Sequence, residues 1–226
     1  MIVLDYSVVR DHPQYRDLDG DDLRDLSKAN LDEQAHVFAA TVLRSRSNRA
    51  VLERLSGLDI PPWQLTAGCL FQTVWNVASG YGDLSTGIRD HDLFFFESGD
   101  LSYEAEDRVL RRCVQACEGL DVELEPRNEA RVHLWYEAKF GKKIRPYRDL
   151  EDAIRSFAAT CCCVGLHLDS GGKLTVTAPF GFEDLFNLVL RPNPEGVAPR
   201  AVYETKTDRW RQIWPSLTKL PWNENA

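Results

Sequence analysis

The stretch RDHDLFFFES, residues Arg89 to Ser98, sets two aspartates one residue apart at the head of a run of Leu and Phe. Side chains alternate faces along a β-strand, so Asp90 and Asp92 share a side. Two carboxylates held together attract a divalent cation. The apolar run behind them reads as a buried strand, so this segment predicts a core strand that delivers two acids to one edge of a sheet.

Upstream, LTAGCLFQTVWNVASGYGD reads as a short strand, a tight turn at Gly68 and Cys69, and a helix from about Leu70 to Ser79 closed by Gly80 and Gly82. Downstream, Asp100 or Ser102 caps a helix to Cys117 whose buried stripe is Ala105, Val109, Leu110, Cys113 and Val114. In LDVELEPRNEARVHLWYEAKF, Val122 and Leu124 alternate with Glu123 and Glu125, and the pattern resumes with Val132 and Leu134, which predicts a rim strand. YRDLEDAIRSF follows as a short helix capped by Asp149. CCCVGLHLDSGGKLTVTAPF has the alternation and turn of a hairpin. FEDLFNLVLRPNP reads as a helix stopped by Pro192 and Pro194, and a last helix runs from about Val202 to Trp214, before Pro215.

Nearer the N-terminus, Leu31, Ala35, Phe38, Val42 and Leu43 mark a helix from about Leu31 to Arg46, with a shorter one at Arg49 to Leu55. GLDIPPWQ then imposes an extended connection. Strands and helices mix without regular βαβ alternation, so the fold class is α+β: a mixed sheet flanked by helices, with a C-terminal hairpin and helices packed on it. Residues 1–60 are expected to form a helical segment packed on a domain spanning 61–226.

Composition narrows the class. The 226 residues are 43% hydrophobic, enough for one substantial core, and carry a formal charge of −8, which argues against general nucleic-acid affinity. Nine acids face four bases between Met1 and Gln34, whereas Arg127 to Arg148 holds seven Lys or Arg against Glu129 and Glu137. No run approaches the length of a membrane span and no secretory core opens the chain, so a cytoplasmic location is expected. The six cysteines lie among Leu, Phe, Val and Ala rather than among His or turn residues, so they are expected as reduced core thiols.

Four features therefore come together: a glycine turn opening a helix, a D-x-D strand, acids on a third strand and a basic stretch. A helix N-terminus after a small residue suits phosphate, because backbone N–H groups and the dipole point at the anion. Arg127 or Arg131 could clamp a phosphate, and Asn128 with His133 could fix a base or sugar. Each has a bland alternative: a solvated strand start for the aspartates, a solvated face for Glu123 and Glu125, rim ion pairs for the arginines and core packing for the tryptophans. Lys142, Lys143, Arg145 and Arg148 read equally as a solvated loop or as guides for an anionic acceptor.

The segments TAGCLFQTVWN, RDHDLFFFESGDLSYEAED, RNEARVHLWYEAKFG, YRDLEDAI, APFGFEDLFNLVLRPN and RWRQIWPSLTKLPW, spread from about Leu65 to Trp222, resemble a nucleotidyltransferase-like family of bacterial proteins within the nucleotidyltransferase fold superfamily. The resemblance implies a nucleoside triphosphate bound through Mg²⁺ (or Mn²⁺), with Asp90 and Asp92 as metal ligands and Glu123, or Glu125, as the third carboxylate. It implies outer phosphates received by the turn at Gly68 and Cys69 and an acceptor it does not specify; Arg127, Asn128 and Arg131 are the further nucleotide contacts expected from the residues themselves. The chain departs from the pattern in carrying Cys69 where Ser is usual, and in the loop SGYGDLSTGIR between turn and D-x-D. The rival reading is a non-catalytic nucleotide-binding or interaction protein that keeps the fold.

Overall fold

Alternation of apolar and polar residues along its strands gives the protein a main sheet with two unlike faces, beside a small two-stranded one. The computed structural model describes residues 1–15 and 17–222. Its strands are β1 (Ile2–Asp5), β2 (Trp63–Thr66), β3 (His91–Phe95), β4 (Leu124–Asn128), β5 (Gly165–Leu168), β6 (Lys173–Thr177), β7 (Val189–Leu190) and β8 (Thr218–Lys219). Its helices are α1 (Tyr6–Arg10), α2 (Gly20–Leu26), α3 (Leu31–Leu43), α4 (Arg46–Leu55), α5 (Gly68–Ala78), α6 (Tyr103–Ala116), α7 (Val132–Phe140), α8 (Leu150–Arg155), α9 (Glu183–Phe186) and α10 (Arg200–Ile213).

Six strands form a sheet in the order β1-β6-β5-β2-β3-β4, antiparallel except for the parallel pair β3 and β4. Register aligns Leu4, Leu174, Leu168 and Leu166, Leu65 and Leu93 on one face, and these join the main core with Phe38, Leu52 and Trp75 from α3, α4 and α5. The other face carries Gln64, Phe94 and Arg127 in one cross-strand row and Thr66, Asp92 and Glu125 in the next. Helices α7 and α8 cover the Phe94 region of that face through Tyr136 and Ile154, joined by Tyr147 from the segment between them. Helix α8 comes so close that Gly165 is required: a Cβ there would lie 2.2 Å from Gln64 Oε1 and 2.8 Å from Ile154 Cδ1.

Most predicted elements are present, with differences that have local causes. The helix expected to reach Arg46 stops at Leu43, because the Ser45 hydroxyl accepts from the Asn48 N–H and caps α4. Val132 and Leu134 do not resume a strand: the Asn128 side chain accepts from the Ala130 N–H at 3.1 Å, ends β4 and turns the chain into α7. The segment ending at Pro192 is helical only in α9, after which Leu188, at φ 57°, turns the chain into β7 beside β8. Residues 1–60 include a strand, since β1 pairs with β6, and the main core runs from Leu4 to Leu217 with no break near residue 60. The last four residues of the expected 61–226 domain lie outside the described residues. The hairpin β5–β6 joins the sheet beside β2 rather than packing on it. All six cysteines are buried free thiols.

Candidate active site

Asp90 immediately precedes β3 and Asp92 lies within it, so strand parity aims both at the sheet face opposite the main core. There they line a cavity of about 500 Å³. Its second wall is the start of α5, where Gly68 takes part and a Cβ on that residue would stand 4.0 Å from Asp90 Oδ1. The turn itself is made by Ala67, not Gly68: Ala67 has φ 60°, a left-handed conformation that costs a non-glycine residue about 1–3 kcal/mol. It serves as N-cap without any side-chain hydrogen bond, which leaves the helix start to backbone N–H groups and an approaching anion.

The parallel register of β3 and β4 places Glu125 directly beside Asp92. Glu125 lines the cavity, whereas Glu123 precedes β4, is exposed and contributes its backbone carbonyl to the His91 N–H at 2.7 Å. The residue expected as third carboxylate at position 123 is therefore not brought to the cavity; its neighbour two residues on is. Arg127 also lines the cavity, 3.6 Å from Glu125, with both side chains near 40% exposed. An ion pair this wet contributes about 0–1 kcal/mol and leaves both groups free to engage a ligand.

Three other expected nucleotide contacts lie elsewhere. The Asn128 side chain is buried in the β4 terminus, where it accepts from Glu97 N–H at 3.1 Å and donates to Glu97 O at 2.9 Å. Arg131 forms an ion pair with Glu106 and donates to Leu101 O at 2.9 Å, tying α6 to the same corner. The Cys69 thiol is buried and donates to Thr66 O at 3.2 Å. Burial, reinforced by the charges of Asp92 and Asp90, holds that thiol well above its ordinary pKa, so Cys69 can offer an anion only its backbone N–H. His133 does not line the cavity either.

Several lining residues carry no sequence motif. Lys206 and Arg209 project from α10, distant in sequence, and Lys206 is among the cations that draw down the pKa of Asp92. Trp135, Tyr136, Lys139 and Phe140 come from α7, and Glu129 from the turn before it. Their signal was spacing: positions 135, 136, 139 and 140 follow a helical stripe once that segment is read as a helix rather than a strand.

The electrostatics mark the aspartate pair. Burial, then the charge of Asp90, pushes the Asp92 carboxyl up to about 6, against the opposing pull of Arg127. Among the described residues no hydrogen bond or ion pair reaches the side chain of either Asp90 or Asp92. No three His, Cys, Asp or Glu side chains there converge into a metal cluster. The donor set nevertheless fits Mg²⁺, which is held by one or two carboxylates and fills its remaining positions with water and substrate phosphate oxygens. The unbalanced negative charge at Asp92 is what a divalent cation would neutralise.

A nucleotidyltransferase family model matches residues 53–219, well over half of the chain. A structure determined by NMR and described as a CCA-adding enzyme head domain superposes with a TM-score of 0.66 at 22% identity, covering 88% of this chain and 100% of that one. Curated proteins give no match. No helix among the described residues is long and apolar enough to cross a membrane.

Proposed function

The chain belongs to the nucleotidyltransferase family, and from that premise we propose that it moves a nucleoside monophosphate from a nucleoside triphosphate to an acceptor, with Mg²⁺ held by Asp90 and Asp92. The observation that carries this reading is the pair of cavity-facing aspartates, unpaired by protein groups, opposite the uncapped start of α5. In the transfer an acceptor oxygen bonds to the α-phosphorus, the bond to the bridging oxygen breaks, pyrophosphate leaves, and the acceptor proton passes to a carboxylate. Glu125, in register with Asp92, is positioned to take that proton. The backbone at Gly68 and the exposed cations Lys206 and Arg209 would receive the outer phosphates and stabilise the leaving pyrophosphate. A bound Mg²⁺ would supply charge neutralisation of the phosphates.

The test is thermal stability with Mg²⁺ and each of the four nucleoside triphosphates, for the wild type and for the combined Asp90→Asn and Asp92→Asn variant. A ligand at about 100 times its dissociation constant adds roughly 2.7 kcal/mol, a readily measured melting shift. The expected result is a metal-dependent shift that the double variant loses; no shift under any condition overturns the reading. A second reading, a nucleotide-binding protein without turnover, would have Glu125 remain with Arg127, 3.6 Å away, when the nucleotide is bound. Pyrophosphate release in the presence of a cell extract as acceptor source separates the two.

A further inference from the structure

The cavity has a second polar feature that the phosphate chemistry leaves unused. Glu129 lines it, is only 4% exposed, and its Oε1 has no hydrogen-bond partner. Buried side-chain oxygens are nearly always paired, so an orphan on a residue that lines a cavity points to a donor supplied from outside the protein, reached by a small turn of the side chain. Its place along the chain indicates which part of a nucleotide would supply it. Glu125 stands in the row of Asp92 and Arg127 in the next, and Glu129 follows just past the strand in the turn into α7, so along the chain it lies beyond Arg127, away from the aspartate row where the phosphates would bind.

The surroundings at that end change from charged to aromatic. Tyr136 and Phe140 pack with ring centroids 4.6 Å apart, and Trp135 lies 6.1 Å from Tyr136. Arg127 and Lys139 sit over the Trp135 ring at 5.8 and 5.5 Å. A half-buried indole in a cavity wall, flanked by other rings, is a surface on which a base can stack.

Resting on the transfer reading above, we propose that Glu129 and the wall of Trp135, Tyr136 and Phe140 form the nucleobase subsite, with the Glu129 carboxyl group accepting a hydrogen bond from an exocyclic amino group of the base. Bases without such a group leave the buried oxygen unpaired, and a site built around a hydrogen bond discriminates strongly against the analogue that lacks it. Glu129 is then a specificity residue, and Trp135 a stacking platform.

The experiment compares dissociation constants by calorimetry, with Mg²⁺, in three pairs that differ at the amino group: ATP and purine riboside triphosphate, GTP and inosine triphosphate, CTP and UTP. The expected result is a preference of about ten-fold or more for the amino-bearing member of at least one pair. The preference should vanish in Glu129→Met, which keeps the length and removes both oxygens, and survive in Glu129→Gln, which keeps an acceptor. Equal affinity within all three pairs in the wild type overturns the subsite while leaving nucleotide binding intact, and so does a preference that persists in Glu129→Met. Failure of all six triphosphates to bind removes the transfer reading and this one together.

Discussion

Two carboxylates set close to the same sheet face have opposite surroundings. Asp152, at the start of α8, is a fully answered acid: Arg145 donates to both of its oxygens at 2.5 and 2.7 Å, Arg148 adds its backbone N–H at 3.0 Å and a guanidinium contact, and its carboxyl is held well below the usual range. The Asp92 side chain receives no hydrogen bond from the described residues, faces a cavity beside another aspartate, and is pushed up to about 6. The first arrangement stabilises a fold; the second holds an unfavourable charge that a proton or a bound cation would relieve. The contrast separates an acid neutralised by its own fold from one left open to a ligand more sharply than residue type does, and it accounts for part of the basic loop as well. Arg145 and Arg148, read from sequence as solvated or acceptor-guiding, are engaged with Asp152.

Five measurements bear on that contrast. The largest effect is expected in transfer itself: Asp92→Asn should lower nucleotidyl transfer by more than about 100-fold while the protein still folds, and activity near wild type would move Asp92 to the structural side. Next, Asp152→Asn should lower unfolding free energy by about 1–3 kcal/mol in denaturant titration, since it deprives two guanidinium groups of their anion. Asp92→Asn should do the reverse above pH 7 without Mg²⁺, raising stability by about 1–2 kcal/mol, because a buried repulsive charge is removed.

The fourth concerns pH. Burial pushes Glu129 up to about 8, so the folded state favours its neutral form. The stability that follows is fully present below the unfolded carboxyl pKa and is lost as pH rises through about 8. Glu129→Gln stays neutral throughout, so its melting temperature should gain on that of the wild type between pH 5 and 9; a difference independent of pH would show that the carboxyl is not held neutral. The smallest effect is at the turn: Ala67→Gly should raise stability by about 0.5–1 kcal/mol, as relief of the φ of 60° outweighs the added freedom of the unfolded chain.

Parity and capping made much of this molecule legible. The side shared by Asp90 and Asp92 followed from alternation, Ser102 and Asp149 do cap α6 and α8, and the hairpin at β5 and β6 followed from its turn. Reading Val132 and Leu134 as strand failed because a period of two and a helical stripe coincide over so few positions, and the deciding interaction, Asn128 to Ala130, is a side-chain contact. The loop between turn and D-x-D likewise looked like an insertion. In the fold it is pinned by Asn76, which donates to Leu84 O and Thr86 O, both at 2.9 Å, and accepts from Trp214 Nε1 at 2.8 Å.

By itself, the sequence determined the local geometry: which side of a strand the two aspartates share, where helices start, and which thiols belong to the core. Those properties depend on neighbouring backbone dihedrals and on the burial of apolar surface. Only the tertiary structure decided that Glu125 rather than Glu123 stands beside Asp92, that Asn128 and Arg131 serve the β4 corner, and that Lys206 and Arg209 of α10 reach the same cavity. Strand register and helix docking are set by packing between segments far apart in the chain, and no local pattern encodes a distance across a sheet.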